Sequence, residues 1–280
     1  MDRPVPFSGK CRLIASDVDY TFTTNDKESH PENIAAIREA AARGIPFIFA
    51  SGRSWGGVVK WLRELDLTAP QVLNNGATII LPKTEETLLS IPIIPQLAEL
   101  AYTGYIKQGF LPVVAAGNIY LSEAEEAETR WILLRNQERY TVTTHDEIMR
   151  LIQNGKVEKL GVISPEREQE LKEFTEKMMA EAQAQGLLCD YGFTERGIMI
   201  LVSGKTTKLS GIDFVCRQLG CTLADVLAVG DGDNDAAMLQ GVGCGVAVAN
   251  ATPKTKAAAL HIVSDNNHAG LAEAIRKYAW

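Results

Sequence analysis

The chain has 280 residues, of which 46% are hydrophobic and 22% are charged, as in an ordinary globular protein. This length is enough for one large domain or two of moderate size, each with a buried core. The formal net charge of −7 argues against a general surface for nucleic acid or anionic membranes, so a phosphate site would need a local positive pocket.

The start of the chain, its longest apolar runs and its cysteines favour a cytoplasmic protein. The first six residues have no apolar signal core, and no run of the chain approaches transmembrane length. We therefore expect a cytoplasmic protein with no membrane partner. The five cysteines include no Cys-x-x-Cys pair, which favours buried thiols in a reducing compartment over disulfides. No feature of the sequence indicates the oligomeric state.

Residues 11–82 alternate between apolar runs and amphipathic stretches, the pattern of a parallel sheet with crossover helices. One predicted helix carries Ile34, Ile37 and Ala41 on one face and ends before Gly44. Another is expected near 54–66. Strands are expected at 11–16, 45–50, 72–73 and 78–81.

Residues 83–203 have a different hydrophobic pattern. Short alternating segments, typical of strands, are separated by amphipathic helices; they lie near 86–93, 110–122, 139–143, 157–164, 187–191 and 197–202. The earlier alternation resumes at Thr207. The sequence therefore predicts a doubly wound parallel-sheet core, residues 1–82 and 204–280, interrupted by an α+β insert, residues 83–203.

The first candidate for chemistry is the pair Asp17 and Asp19, directly after the predicted strand 11–16. In an open α/β sheet, ligands bind beyond the carboxyl ends of the strands, so this position suits a functional site. One carboxylate can attack a substrate while the other moves a proton. Asp-x-Asp alone is more often a turn or a solvated loop.

Three later segments favour a functional interpretation of Asp17 and Asp19. Ser51 and Gly52 follow the strand 45–50, Lys208 opens a predicted helix, and 226–229 runs into Gly-Asp-Gly-Asp-Asn-Asp at 230–235. This ordered set resembles the four motifs of the haloacid dehalogenase-like (HAD) phosphatases. The segments 245–251 and 258–265 are similar to the Cof-type sugar-phosphatase branch of that superfamily.

The resemblance implies a Rossmann-like HAD core, with the insert acting as a C2-type cap over the active site. It assigns the nucleophile to Asp17, which would form an aspartyl-phosphate. It assigns proton transfer to Asp19, whose backbone carbonyl would also bind the metal. Tyr20 departs from the usual glycine and lacks its freedom at positive φ. Two interpretations of Tyr20 remain: it lies at the mouth of the pocket, or it packs under a neighbouring loop.

Phosphate binding is expected from residues with hydroxyl, amide or cationic groups at the strand and helix ends. Ser51 offers a hydroxyl and Gly52 an amide, while Arg53 fits either substrate charge or a surface ion pair. Lys208 follows the predicted helix cap Thr207, and the helix is expected to end before Gly220. A cation at the helix start opposes the helix dipole but suits a bound phosphate. Lys205 is a rival, and the family pattern favours Lys208.

The metal expected from the motifs is Mg²⁺, which binds through one or two carboxylates together with phosphate and water. Asp17 and Asp231 are the expected direct ligands, Asp235 is expected to act indirectly or through water, and Asn234 is expected to orient its neighbours. A calcium loop at 231–242 fails because it would need glycine at 236 and an acidic residue at 242. A P-loop at 199–206 lacks its first glycine.

The resemblance thus implies a Mg²⁺-dependent phosphatase for a small phosphorylated metabolite, and a sugar phosphate is the expected substrate. A phosphomutase would use the same aspartyl-phosphate and return the group to a substrate. A catalytically silent binding protein on the same fold is the alternative from another class. Asn75 follows a strand in a turn that leads towards the insert, and a plain turn is the favoured interpretation. No feature of residues 83–203 identifies the substrate.

Overall fold

The computed structural model describes residues 7, 9–135, 138–187, 189–194 and 197–280. Contacts divide the chain into two compact units. The first comprises the chain up to Gly52 with Val59–Leu89 and Thr207–Trp280, and the second comprises Arg53–Val58 and Ser90–Thr206. None of the helices within these described ranges is long and apolar enough to cross a membrane.

The amino-terminal part of the first unit alternates strands and helices. Its elements are β1 (Leu13–Ser16), α1 (Pro31–Ala42), β2 (Phe47–Phe49), α2 (Val59–Glu64), β3 (Gln71–Leu73), β4 (Thr78–Ile80) and β5 (Thr87–Ser90). The α1 helix begins at a proline, which is favoured in the first turn because its missing N–H would have no helical partner there. Its buried face contains Ile34 and Ile37 as expected, but Ala40 rather than Ala41 completes that face.

The second unit is an α+β fold. Its elements are α3 (Pro95–Lys107), β6 (Pro112–Ala116), β7 (Ile119–Ser122), α4 (Ala127–Arg135), β8 (Tyr140–Val142), α5 (His145–Gln153), β9 (Lys159–Ile163), α6 (Glu168–Ala184), β10 (Cys189–Thr194) and β11 (Ile198–Ser203). The strands form one sheet in the order β10-β11-β9-β6-β7-β8, antiparallel except between β7 and β8. Leu97, Tyr102, Ile148, Leu160 and Leu201 belong to its buried core.

The chain then returns to the first unit. Its last elements are α7 (Lys208–Leu219), β12 (Val226–Gly230), α8 (Ala236–Gly241), β13 (Cys244–Val248), α9 (Pro253–Ala258), β14 (His261–Val263) and α10 (Gly270–Tyr278). The α7 helix begins with a reciprocal capping box between Thr207 and Ser210 and ends at Gly220, whose φ of 67° is left-handed. These are the start and stop that the sequence predicts.

The first unit is built on a parallel sheet in the order β14-β13-β12-β1-β2. A separate sheet contains β3, β4 and β5. Because β1 lies between β12 and β2, the strand order reverses beside β1, and the carboxyl ends of β1 and β12 are adjacent. The predicted α/β class with a parallel-sheet core and an additional α+β portion is confirmed.

Candidate active site at the strand ends

Four charged side chains meet beyond the carboxyl ends of β1 and β12. Asp17 follows β1, Asp231 follows β12, Asp235 ends the 3-10 turn after it, and Lys208 is the first residue of α7. Lys208 Nζ lies 2.6 Å from Asp17 Oδ1 and 2.6 Å from Asp235 Oδ1. The side chains of Lys208, Asp17 and Asp235 are 2%, 9% and 0% exposed, so this ion pair is buried.

Backbone contacts fix the elements that carry this cluster. The Asp17 N–H donates to Val229 O at 2.9 Å, which extends the ladder between β1 and β12. The Thr207 side chain accepts from the N–H of Ser210 and sets the first turn of α7, which holds Lys208. Gly76 lies against Thr207, and a Cβ at position 76 would come within 2.2 Å of Thr207 O. The lysine is therefore held by its helix start and by a glycine packed against it.

Hydrogen bonds also order the loop that carries Asp231 and Asp235. Asp231 Oδ1 accepts from the Thr21 hydroxyl at 2.7 Å. Asp235 Oδ2 accepts from the N–H groups of Asp231 and Gly232 at 3.0 and 2.9 Å. Both carboxylate oxygens of Asp235 therefore have donors, which fits the indirect role expected for it. Thr252 N donates to Asp231 O at 3.0 Å and ties the loop to the start of α9.

The charges of the cluster do not balance. Burial raises the pKa of Asp17 well above its ordinary value; Lys208 opposes this, and the negative charges of Asp235, Asp231 and Asp19 add to it. Burial, followed by the charge of Asp235, raises the pKa of Asp231 to about 7. Burial alone would lower the pKa of Lys208, but Asp17 and Asp235 outweigh it and hold that pKa above its ordinary value. The ammonium therefore stays charged.

The same cluster suits a divalent cation. Asp17, Asp231 and Asp235 each offer a carboxylate oxygen, and these atoms lie within 4.8 Å of one another. Three carboxylates and one ammonium leave two negative charges in excess, the charge that a divalent cation neutralises. An all-oxygen donor set is preferred by hard cations such as Mg²⁺, Ca²⁺ and Mn²⁺. The residues therefore fit a hard divalent metal.

Asp19 has a different environment. Lys27 Nζ lies 2.6 Å from Asp19 Oδ1 and 3.6 Å from the centroid of the Tyr20 ring. Tyr20 has a φ of 58°, in the left-handed region that favours glycine. The tyrosine at this motif position thus takes the glycine-like backbone conformation, with its ring facing a lysine.

Ser51, Gly52 and Asn234 are linked through Asn75. Ser51 is buried after β2, and its carbonyl oxygen accepts from the Asn75 N–H at 2.9 Å. Asn75 Oδ1 accepts from Asn234 Nδ2 at 3.3 Å, and a Cβ at Gly52 would lie 3.2 Å from the same oxygen. The backbone at Asn75 is left-handed, with a φ of 54°. Asn75 therefore connects two predicted motif loops, whereas the sequence favoured a plain turn.

Arg53 groups with the second unit, where its Nη1 donates to Gly57 O at 2.9 Å. Lys205 is exposed, in contrast to the buried Lys208. Asp233, which the sequence interpretation left out, accepts from the Thr252 hydroxyl at 2.6 Å.

Two contacts were missed by the sequence interpretation. Thr21, two residues after Asp19, has no role in the sequence interpretation, although its place in the loop after β1 brings its hydroxyl to Asp231. Lys27 lies outside the four motifs, and its approach to Asp19 depends on its own left-handed φ of 64°, which no sequence pattern indicated.

The fold and this acidic strand-end site define an α/β enzyme of the hydrolase type. A family model described as haloacid dehalogenase-like hydrolase matches residues 14–275. The chain therefore belongs to the haloacid dehalogenase-like hydrolases, as a Cof-type member and an enzyme of the phosphatase class. Phosphatases of this family use a divalent metal and act on small phosphorylated substrates.

Individual relatives agree with the family. The phosphoglycolate phosphatase of Methanopyrus kandleri is 28% identical over 265 residues, which cover 95% of this chain and 96% of that protein. A haloacid dehalogenase-like hydrolase from Bacteroides thetaiotaomicron has a TM-score of 0.82 at 23% identity, over 96% of this chain and 99% of that one. The subclass IIB sugar phosphatase BT4131 has a TM-score of 0.79 at 19% identity, over 95% and 98%. These two structures show the shared fold.

One relative is much longer than this chain. The chloroplastic endoribonuclease YBEY of Arabidopsis thaliana is 25% identical over 98% of this chain, but the match covers 47% of that protein. The chain thus spans about half the length of this relative.

Proposed function

We propose that the protein is a Mg²⁺-dependent phosphatase that hydrolyses a small phosphorylated metabolite, a sugar phosphate, through an aspartyl-phosphate on Asp17. The observation that carries the proposal is the buried contact of Lys208 with Asp17 and Asp235, beside Asp231. A carboxylate fixed by a cation at a strand end suits attack on a phosphoryl group. The family membership supports the same chemistry.

In the first step, Asp17 attacks phosphorus. We assign the attack to Oδ2 because Oδ1 accepts a hydrogen bond from Lys208. An oxygen–phosphorus bond forms to Asp17 while the bond from phosphorus to the leaving oxygen breaks. Asp19 gives its proton to that leaving oxygen. Splitting the hydrolysis into two displacements replaces one difficult step by two easier ones.

In the second step, Asp19 takes a proton from water, and the water oxygen bonds to phosphorus. The bond between phosphorus and Asp17 breaks, inorganic phosphate is released and the Asp17 carboxylate is regenerated. Lys208 keeps its positive charge beside Asp17 in both steps and offsets negative charge on the phosphoryl oxygens.

Mg²⁺ bound by Asp17, the Asp19 carbonyl and Asp231, with Asp235 acting indirectly, would neutralise phosphoryl charge and fix its geometry. The oxygen donor set and the excess of two negative charges support a divalent ion of this kind.

Ser51, Gly52 and Asn234 are proposed to bind or orient the phosphoryl group. The hydroxyl of Ser51 and the amide of Gly52 are donors suited to phosphoryl oxygens. The link from Asn75 to both predicted motif loops supports their joint placement. Arg53 is proposed to bind substrate charge.

Residues 1–82 and 204–280 are proposed to carry catalysis, and residues 83–203 to act as the cap that selects the leaving group. The names of the relatives support phosphorylated sugars and small organic acids as the first substrates to test. A cytoplasmic location stays a prediction from the sequence.

Rapid quenching with a ³²P-labelled sugar phosphate tests the proposal. We expect acid-stable label on Asp17 of the wild type and no label in Asp17→Asn. In Asp19→Asn we expect trapped label only from labelled p-nitrophenyl phosphate, whose leaving group needs no proton, because hydrolysis of the intermediate still needs the missing base. Transfer of label to a second sugar instead of water would identify a mutase. Turnover by Asp17→Asn, or label on another residue, would refute the assignment of the nucleophile.

A further inference from the structure

The proposed acid and base, Asp19, requires a support of its own. Its side chain is 32% exposed, in contrast to the 9% of Asp17 and the 0% of Asp235. About a third of this side chain is open to solvent, so polar contacts as well as packing determine its orientation. Proton transfer needs hydrogen-bond reach, so the orientation of Asp19 has to be fixed by its contacts.

Lys27 supplies such a contact. Its ammonium lies 2.6 Å from Asp19 Oδ1, and its side chain is only 13% exposed. The lysines of the described surface ion pairs, Lys60, Lys83 and Lys277, are 51%, 55% and 58% exposed. Ion pairs with exposed lysines are screened and weak, whereas a largely buried ammonium has few other positions. The pair between Lys27 and Asp19 is therefore unlike these surface pairs.

Tyr20 supports the lysine. The ammonium of Lys27 lies 3.6 Å from the centroid of the Tyr20 ring, at the range of a cation–π contact. The carbonyl oxygen of Tyr20 accepts from Asn250 Nδ2 at 2.8 Å, which anchors the left-handed backbone at this residue. A glycine at position 20 would adopt this backbone more easily but would offer no ring. The ring gives a reason for tyrosine at a strained position.

The segment that carries Lys27 is itself tied to the parallel-sheet unit. It turns tightly, with Thr24 N donating to Glu28 O at 2.8 Å and Lys27 N donating to Thr24 O at 3.0 Å. The buried Asn266 donates through Nδ2 to Thr23 O and to Asn25 Oδ1, both at 3.0 Å. The turn that presents Lys27 is therefore anchored at its base.

We propose that Lys27 is a positioning residue that holds the carboxylate of Asp19 in one orientation, with Tyr20 as its support. Lys27 holds Oδ1, and Oδ2 is the atom that exchanges the proton with the leaving oxygen and with water. Lys27 itself transfers no proton. This inference rests on the proposed function, because it assigns Asp19 the proton transfer described above.

Leaving groups of different basicity separate this role from a purely structural one. An alkoxide leaving group needs the proton from Asp19, whereas p-nitrophenolate leaves without it. A general acid contributes about 10²–10⁴-fold, so loss of its positioning alone should lower kcat/KM for an alkyl phosphate by about tenfold or more. We expect this loss in Lys27→Met, with less than about a threefold loss on p-nitrophenyl phosphate.

Two variants control the kinetics. Lys27→Arg keeps the charge and the cation–π contact, and we expect it to retain the wild-type preference between the two substrates. Lys60 pairs at 3.8 Å with Glu28, the residue that follows Lys27 in the sequence. Lys60→Met therefore removes a nearby lysine that does not contact Asp19, and it should behave as wild type. Equal losses on both substrates in Lys27→Met, no loss, or a gain would each overturn the positioning role. A wild type that hydrolyses neither ester would instead refute the proposed function.

Crystal structures of the ligand-free wild type, Lys27→Met and Lys27→Arg give a readout that does not depend on activity. We expect one Asp19 rotamer in the wild type and in Lys27→Arg, and several in Lys27→Met. An Asp19 side chain with the same single rotamer and the same relative B-factor in Lys27→Met would overturn the inference, whatever the kinetics show.

Discussion

Thr21 Oγ1 donates a 2.7 Å hydrogen bond to Asp231 Oδ1, although 210 residues separate them in the chain. The bond joins the loop after β1 to the loop after β12. It also lowers the pKa of Asp231, against the larger effect of burial. Thr21 therefore favours the ionised form of Asp231, the form that binds a metal.

Thr21→Val keeps the shape of the side chain and removes its hydroxyl. Because a donor that orients a metal ligand is typically worth about 10–100-fold in affinity, we expect Mg²⁺ to bind at least about tenfold more weakly. Isothermal titration of the purified protein measures this directly. Thr21→Ser restores the donor and should bind Mg²⁺ nearly as the wild type does. Equal affinity in Thr21→Val and Thr21→Ser would show that the hydroxyl has no such role.

Lys208→Ala should lower kcat for a phosphate ester by about 10²–10³-fold, because it removes a cation next to the attacking carboxylate. It also leaves Asp17 and Asp235 buried without their counter-charge, and loss of one partner of a buried pair costs about 3–5 kcal/mol of unfolding free energy, less whatever protonation of the aspartates recovers. Steady-state kinetics and urea unfolding measure the two effects.

Lys205→Ala is the matched control for this prediction, since Lys205 is an exposed lysine three positions earlier. We expect its activity and stability to be within error of the wild type. Greater damage from Lys205→Ala than from Lys208→Ala would mean that the motif lysine has been assigned wrongly.

The affinity for Mg²⁺ should depend on pH. Burial raises the pKa of Asp231 to about 7, so below that value a proton competes with the cation. Competition by the Asp231 proton alone predicts an increase in apparent affinity of roughly fivefold from pH 6 to pH 7 and less than about twofold from pH 7 to pH 8. A proton on Asp17, whose pKa is also raised, adds to this dependence. Titrations at each pH, in two buffers of different ionisation enthalpy, measure the affinity and the protons released.

The metal-free protein gives the opposite trend in stability. A carboxyl whose pKa is raised on folding stabilises the protein at low pH, and that contribution is lost as the pH rises from about 4 towards 7. Asp231→Asn should weaken this trend, leaving the part that comes from the raised pKa of Asp17, and should remove most of the Mg²⁺ binding. A flat pH dependence of Mg²⁺ affinity in the wild type would contradict the prediction.

Much of the fold was predictable because local signals and global packing agree. Thr207 and Gly220 specify both ends of α7 through capping and a left-handed glycine, so the helix that carries Lys208 was placed correctly. The apolar runs before Asp17 and Asp231 marked two strands, and the rule for parallel sheets then brings their carboxyl ends together.

Other features depend on contacts that local patterns do not specify. Arg53–Val58 groups with the second unit although its neighbours on both sides belong to the first. Lys27 reaches Asp19 because Tyr20, Lys27 and the turn at Thr24 between them adopt conformations that tertiary anchors select. Side-chain periodicity carries no information about either feature.

A final prediction concerns the stability of the carboxyl-terminal helix. Glu273 on α10 accepts from Lys277 Nζ at 2.6 Å and from Ser264 N at 2.8 Å. These contacts lower the pKa of Glu273 to about 2, against an unfolded value of about 4.3, and the contact with Lys277 contributes most. A lowered pKa stabilises the fold above the unfolded value, and the contribution is lost as the pH falls from about 4 to about 2.

Glu273→Gln should therefore lower the free energy of unfolding at pH 7 by less than about 1 kcal/mol, since Glu273 is partly exposed and its partner Lys277 is mostly exposed, so solvent screens the pair. The difference from wild type should shrink below pH 4. Urea unfolding at pH 7, 5, 4 and 3 measures it. Lys277→Met removes only one donor, so it should lose part of the same effect while Ser264 N keeps the rest. A difference between wild type and Glu273→Gln that stays constant down to pH 3 would show that these contacts do not act through the charge of Glu273.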